Sequence, residues 1–340
     1  MILLKSELLA LTNEGVDGLR AALQAAIALE HATLPPYLYA LYSIQPGKNV
    51  LAARILRSIV MQEMTHLALG CNVLNAVGGS PSLNQPDFFP TYPGPLPGGI
   101  DNGLKVPLAP LSLDQVQHTF MVIEEPEDPL VFPVLADAAL ALSAPKTIGQ
   151  FYAGIKQQLQ TLAQTQEIFT GEAARQLTSG ISGLIEVTDV ASALAAIDLI
   201  VVQGEGTKTT PLDAVNEPAH YYRFAEIFHQ RMLIPQTGDP GFAYAGDPVP
   251  FEPAGVLPVT SNPTPALYVG TATEPMNDAF NYTYTSLLGA LHETFNGAPD
   301  NIDTAIGLME SVKRQARTLM AQPIAGGKNA GPTFTYRPVE

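Results

Sequence analysis

Apolar residues recur at intervals of three and four over residues 14–44 and 49–78, the period of an amphipathic helix. The same period predicts helices at 112–123, from near Pro145 to about Leu177, at 189–203, 217–232, 276–296 and 300–321. Two Pro/Gly-rich stretches interrupt the series, 79–111 and 233 to about 275. The first contains Pro81, Pro86, Pro90, Pro93, Pro95, Pro97 and Pro107, a density that no helix can continue through. Glu125-Pro126 ends the helix at 112–123, paired glycines around Glu205 supply a C-cap after 189–203, and Pro218 suits the first turn of 217–232.

Helix, helix, long crossover, helix, helix is the order of an all-α four-helix bundle with a crossover connection, the ferritin-like arrangement. On this reading residues 1–232 form the bundle. Residues 233–340 add a Pro-rich connection and C-terminal helices packed on the bundle as an additional lobe. No internal repeat of fixed period is visible.

The informative residues are the polar ones that fall within the apolar stripes. Successive helical side chains turn by about 100°, so angular neighbours can be read from sequence. Glu30 shares its side with Leu19, Leu23, Ala26, Ile27, Leu34, Tyr37 and Leu41; Pro35-Pro36, one turn later, is expected to kink this helix. Glu63 shares its side with Leu56, Ile59, Val60, Leu67, Gly70, Leu74 and Val77, and His66 lies one turn on. In 217–232, Glu217 and His220 share a side with Tyr221, Phe224, Ile227 and Phe228, which makes Glu217/His220 the inward pair and Glu226/His229 a solvated face. A buried carboxylate costs several kcal/mol unless it is paired or bound to a cation. Glutamates directed inward from several helices, with Glu-x-x-His pairs, are how a helical bundle builds a metal site.

The third long helix breaks the pattern. Its stripe is Ile148, Phe151, Tyr152, Ile155, Leu159 and Leu162, with no carboxylate, and Gln150 is displaced from it. A carboxylate bridging two metals would ordinarily come from there, so a single ion or an asymmetric pair is expected, with Glu205 as a substitute ligand. The bland alternative is a buried polar network in which Glu30 pairs with His66, or Glu63 with His220. His31 is expected at a helix boundary rather than as a ligand. His118 and His292 are expected to be structural or exposed, and Glu124 and Glu125 suit a cap or a pairing with a basic residue, with the lining of a pocket as the lesser alternative.

Composition narrows the classes. Hydrophobic residues make up 46% and charged residues 14%, ample for a core. The net charge of −15, from 17 basic and 32 acidic residues, excludes a phosphate-neutralising nucleic-acid or anionic-membrane surface. Cys71, the single cysteine, excludes a thiolate zinc cage and reads as a small core residue. The amino-terminal Met1 to Glu7 run is too short in apolar residues for a signal peptide, and no run reaches the length of a membrane span. A cytoplasmic setting is expected.

At these residues the chain resembles a bacterial ferritin-like family related to the ferritin-like domain of iminophenylpyruvate dimer synthases. The resemblance rests on the run from Leu29 to Leu38, including Glu30-His31-Ala32-Thr33 and Pro35-Pro36-Tyr37, and on Glu63-Met64-Thr65-His66-Leu67. Asn72 to Gly79, Ile148 to Tyr152, Gln203 to Thr207, His220 to Phe224 and Gly331 to Phe334 extend it. It implies a ferritin-like fold and metal ligation by Glu30, Glu63, His66 and His220, with Glu217 or Glu205 completing the set. The synthases in question couple two amino-acid-derived imines oxidatively.

The expected function is therefore a non-haem, metal-dependent oxidoreductase acting on a small molecule. Iron or manganese is expected ahead of zinc, because the donors are carboxylate and imidazole without thiolate. The expected partners are a small-molecule substrate and a second copy of the chain in a homodimer, with neither nucleic acid nor membrane. The alternative is a non-catalytic bundle, either metal-storing or structural with a decayed site.

Overall fold

The computed structural model describes residues 14–97, 104–126, 148–207, 210–213, 215–238 and 240–338. The amino-terminal Met1 to Glu7 run and the expected helix start near Pro145 lie outside them. In chain order the helices are α1 (Gly15–Ser43), α2 (Val50–Ala76), α3 (residues 113–123), α4 (Ile148–Ala163), α5 (Val190–Glu205) and α6 (His220–His229). A short antiparallel hairpin, β1 (Arg231–Pro235) and β2 (Phe242–Pro248), precedes α7 (Glu274–Thr294) and α8 (Ile302–Met320).

Helices α1, α2, α5 and α4 contact one another in a closed ring, which is the four-helix bundle. The stripes around Glu30 and Glu63 meet inside it, and Gly70 brings α2 close to α1: a Cβ there would stand 3.1 Å from Ile27 Cγ1. Cys71 is fully buried, as expected of a core residue. The fourth bundle helix is α5, not the 217–232 segment. At ten residues α6 is about 15 Å long, too short to run beside the 27 residues of α2. It packs instead against α2, α3 and α5. The expected helix to about Leu177 ends at Ala163, and irregular chain follows.

Pro35 and Pro36 remain inside α1. Pro36 has no N–H to give the Ala32 carbonyl, and the Tyr92 hydroxyl from the crossover donates to it instead, at 2.6 Å. The proline-rich excursion thus repairs the helix whose prolines disrupt it. At the other end of the chain, residues 333–337 run along α7 without regular structure, turning at Phe334 with φ 50°. The Thr333, Thr335 and Arg337 amides donate to Asn277, Asn281 and Thr285 side chains at 3.0–3.2 Å. The accepting side chains are four residues apart and so lie on one face of α7, and they meet every second amide of the tail. Among the described residues, no helix is long and apolar enough to cross a membrane.

Candidate metal centre

Glu30 reaches the bundle interior from α1, and Glu63 and His66 from α2. His220 enters from the first residue of α6, and all four side chains are buried. Glu63, His66 and His220 each offer a ligand atom within 4.8 Å of the others. His220 Nδ1 stands 2.7 Å from Glu63 Oε1, and His66 Nδ1 stands 3.9 Å from the same carboxylate and 3.6 Å from Glu30 Oε2. The two imidazoles face each other with ring centres 5.4 Å apart.

A third carboxylate arrives from α3, where the sequence favours a cap or a basic partner over the lining of a pocket. Glu124 closes α3 and is buried, and its basic neighbour is a histidine of the cluster, with Oε2 3.6 Å from His220 Nδ1. The turn before it, Val116–Phe120, is π-helical, and π-turns recur at functional sites. The missing carboxylate of α4 is thus offset by one from α3. A signal was present in sequence: Glu124 stacks over Phe120 and Val116, both of which are buried.

Each ligand candidate is held from behind. Thr33 donates to Glu63 at 3.0 Å, Tyr152 donates to Glu30, and Tyr37 donates to Glu124. His66 Nε2 meets Gln203 Oε1 at 2.9 Å, and His220 Nε2 meets Gln62 Oε1 at 3.0 Å. Arg223 also donates to Gln62 Oε1, which identifies that atom as the amide oxygen. His220 Nε2 therefore carries the proton and donates, leaving Nδ1 as a bare lone pair when the ring is neutral. Burial pushes the His220 pKa down and favours that neutral form, with Glu124 pulling the other way.

His220 Nδ1 is buried and makes no geometrically acceptable hydrogen bond, although Glu63 Oε1 is only 2.7 Å away. A lone pair set among carboxylate oxygens is repelled by them unless a cation lies between or a protonated carboxyl donates to it. This arrangement fits a metal ion, and a hydrogen-bond partner on the far ring nitrogen of each ligating histidine is the usual accompaniment. The carboxylates respond to their crowding. Burial, with Glu124 adding to it, pushes the Glu63 pKa well above the ordinary carboxylate range against the pull of His66. Burial also raises Glu30, but His66 and the Tyr152 hydroxyl outweigh it and leave its pKa lowered.

The remaining candidates separate. Glu205, the last residue of α5, is half-buried and borders a cavity of about 40 Å³ that Glu30, Glu63, His66, Glu124 and Tyr152 also line. It lies against the backbone of α4, where a Cβ on Gly149 would come within 2.8 Å of its carboxylate. Glu217 is exposed and lies outside the cluster. It precedes α6 in a turn whose amides at Val215 and Glu217 both donate to Asp213 Oδ1, so helical angles do not apply to it. Glu226, expected on a solvated face, is buried and accepts the Leu233 amide of β1 at 2.8 Å. His31 is not at a helix boundary: it is buried mid-helix, stacked on Phe88 and hydrogen-bonded to Tyr284. His118 is exposed, 3.7 Å from Asp114.

Comparison with known proteins agrees with this architecture. The dichlorochromopyrrolate synthase of Lentzea aerocolonigenes is 26% identical over 374 aligned positions, covering 92% of this chain and 35% of that protein. The chain thus spans about a third of the length of that relative. A ferritin-like protein from Caulobacter vibrioides, known from a crystal structure, shares the fold with a TM-score of 0.56 and 23% identity, over 94% of this chain and 97% of that one. The profile of the Ferritin-like family matches residues 23–229, the span that carries most of α1, all of α2 to α6 and every ligand candidate, and the chain belongs to that family.

Proposed function

We propose that this chain holds a non-haem metal ion, iron or manganese ahead of zinc, and serves an oxidative reaction on a small molecule. Glu63, His66 and His220 are the central ligands in this reading, with Glu30 and Glu124 beside them and Glu205 at the cavity edge. The observation that carries it is His220 Nδ1, buried among carboxylates without a hydrogen bond. Oxygen and nitrogen donors without thiolate suit iron and manganese. When bound, such an ion supplies redox chemistry and an open coordination position.

The chain's own residues set the conditions. Gln62 and Gln203 fix the imidazole orientations, while Tyr37 and Tyr152 orient Glu124 and Glu30. The cavity of about 40 Å³ has room for a water or a diatomic molecule, since one water needs about 10–15 Å³. A larger substrate therefore meets the site only at its edge. Likeness to dichlorochromopyrrolate synthase and to iminophenylpyruvate dimer synthases supports oxidative coupling of amino-acid-derived imines as the reaction class. A small-molecule substrate and a homodimeric assembly belong to the same proposal.

A metal-free polar network is the competing reading, favoured by the His66–Glu30 and His220–Glu63 contacts. Metal analysis of protein purified without chelator from iron- or manganese-supplemented cultures decides between them. About one equivalent or more per chain supports a metal centre, and a content far below that removes it.

A further inference from the structure

A second and larger cavity, about 330 Å³, lies where α7 and α8 cover α1 and α2. It is separate from the ligand cluster. His31 and Leu34, which line it, follow Glu30 and Thr33 by one residue and so face about 100° away on α1. The walls are apolar, built mainly by Leu34, Leu38, Met64, Leu67, Leu287 and Leu291. On the floor, His31 Nε2 and the Tyr284 hydroxyl are hydrogen-bonded at 2.7 Å, while His31 Nδ1 is buried without a hydrogen bond. Met61 and Ile306, 49% and 38% exposed, show that the cavity opens to solvent.

The charges at the opening are of one dominant sign. Arg57, Lys313 and Arg317 line it with a single acid, Glu310. Lys313 is held by Glu310 at 3.1 Å. Arg57 and Arg317 are both exposed and make no ion pair or side-chain hydrogen bond among the described residues. Tyr42, which also lines the cavity, lies close enough to Arg317 to feel its charge. Guanidinium groups recognise carboxylates in a fork geometry. The volume lies in the range of about 300–1,000 Å³ typical of small-ligand sites, and flexible methionines suit an adaptable wall.

We propose that this cavity binds an amphipathic carboxylate, its hydrocarbon or aryl part among the leucines and its carboxylate at Arg57 and Arg317. Calorimetric titration of the full chain with dodecanoate, dodecan-1-ol and dodecyltrimethylammonium, each below micelle formation, tests it. Dodecanoate is expected to saturate a single site, with the alcohol bound about tenfold more weakly and the ammonium not at all, because charge-assisted bonds are available only to the carboxylate. R57A/R317A, which alters only exposed side chains, is expected to lower dodecanoate affinity to that of the alcohol and leave the alcohol unchanged. M64W, which fills the cavity from a half-buried position, is expected to weaken both ligands. Absence of saturable dodecanoate binding overturns the proposal, as does equal affinity for the three probes or indifference to R57A/R317A. A parent protein whose dimer dissociates on M61K and does not bind dodecanoate makes the groove a self-interface, which also overturns it.

Discussion

Replacing Glu63 by glutamine separates a metal ligand from a structural ion-pair partner. Glu63 is the carboxylate shared by His66 and His220, so its loss removes the group common to both imidazoles. Its pKa is raised, mainly by burial. A carboxyl with a raised folded pKa contributes stability below its ordinary pKa and loses it as pH rises through the folded value. In metal-free protein at neutral pH, Glu63→Gln should therefore leave stability within about 1 kcal/mol of the parent or improve it. The metal-dependent part behaves differently. At a metal concentration one hundred times Kd, binding stabilises the fold by about 2.7 kcal/mol; a site weakened about a hundredfold retains only about 0.4 kcal/mol at the same concentration. Urea unfolding followed by circular dichroism, with and without manganese, reads both numbers. Equal metal stabilisation of parent and variant refutes the ligand assignment. A loss of about 3–5 kcal/mol in metal-free protein would instead mark Glu63 as half of a buried ion pair.

Gln62→Leu removes the acceptor behind His220 and is expected to weaken metal binding about 10–100-fold in equilibrium titration, the usual scale for second-shell partners. Tyr92→Phe strips the Ala32 carbonyl of its donor and should cost about 1–3 kcal/mol by chemical denaturation. Burial raises the Glu226 pKa to about 7, against the Leu233 amide and Arg223. Its stabilising contribution is complete below the ordinary value of 4.5 and is lost as pH rises through about 7. Glu226→Gln should thus gain stability relative to the parent at pH above about 7 and lose that advantage in acid, as measured by unfolding across pH.

The parts of the centre that were legible in the sequence are those on long, regular helices. Counting by about 100° per residue places Glu30, Glu63 and His66 inside the bundle, where they are buried, because α1 and α2 hold their period through those residues. The same arithmetic misassigns the ends of elements. Glu217 was given a helical angle, yet it lies in a turn organised by Asp213, and Glu226 is buried by a hairpin that no helical period reveals. Glu124 follows a π-turn and a Pro/Gly-rich excursion, and its place beside His220 depends on how α3 meets α6. The bundle was legible as a set of helices with a crossover. Which helix closes the ring was not, because α5 carries a long apolar face with few polar interruptions while the more distinctive Glu-x-x-His lies beside short α6.

Anomalous scattering from crystals grown with manganese or iron tests the central claim most directly. A peak is expected between Glu63, His66 and His220, within bonding distance of His220 Nδ1. Crystals from metal-supplemented protein that show no anomalous peak there, or a peak only at a surface carboxylate, would contradict it.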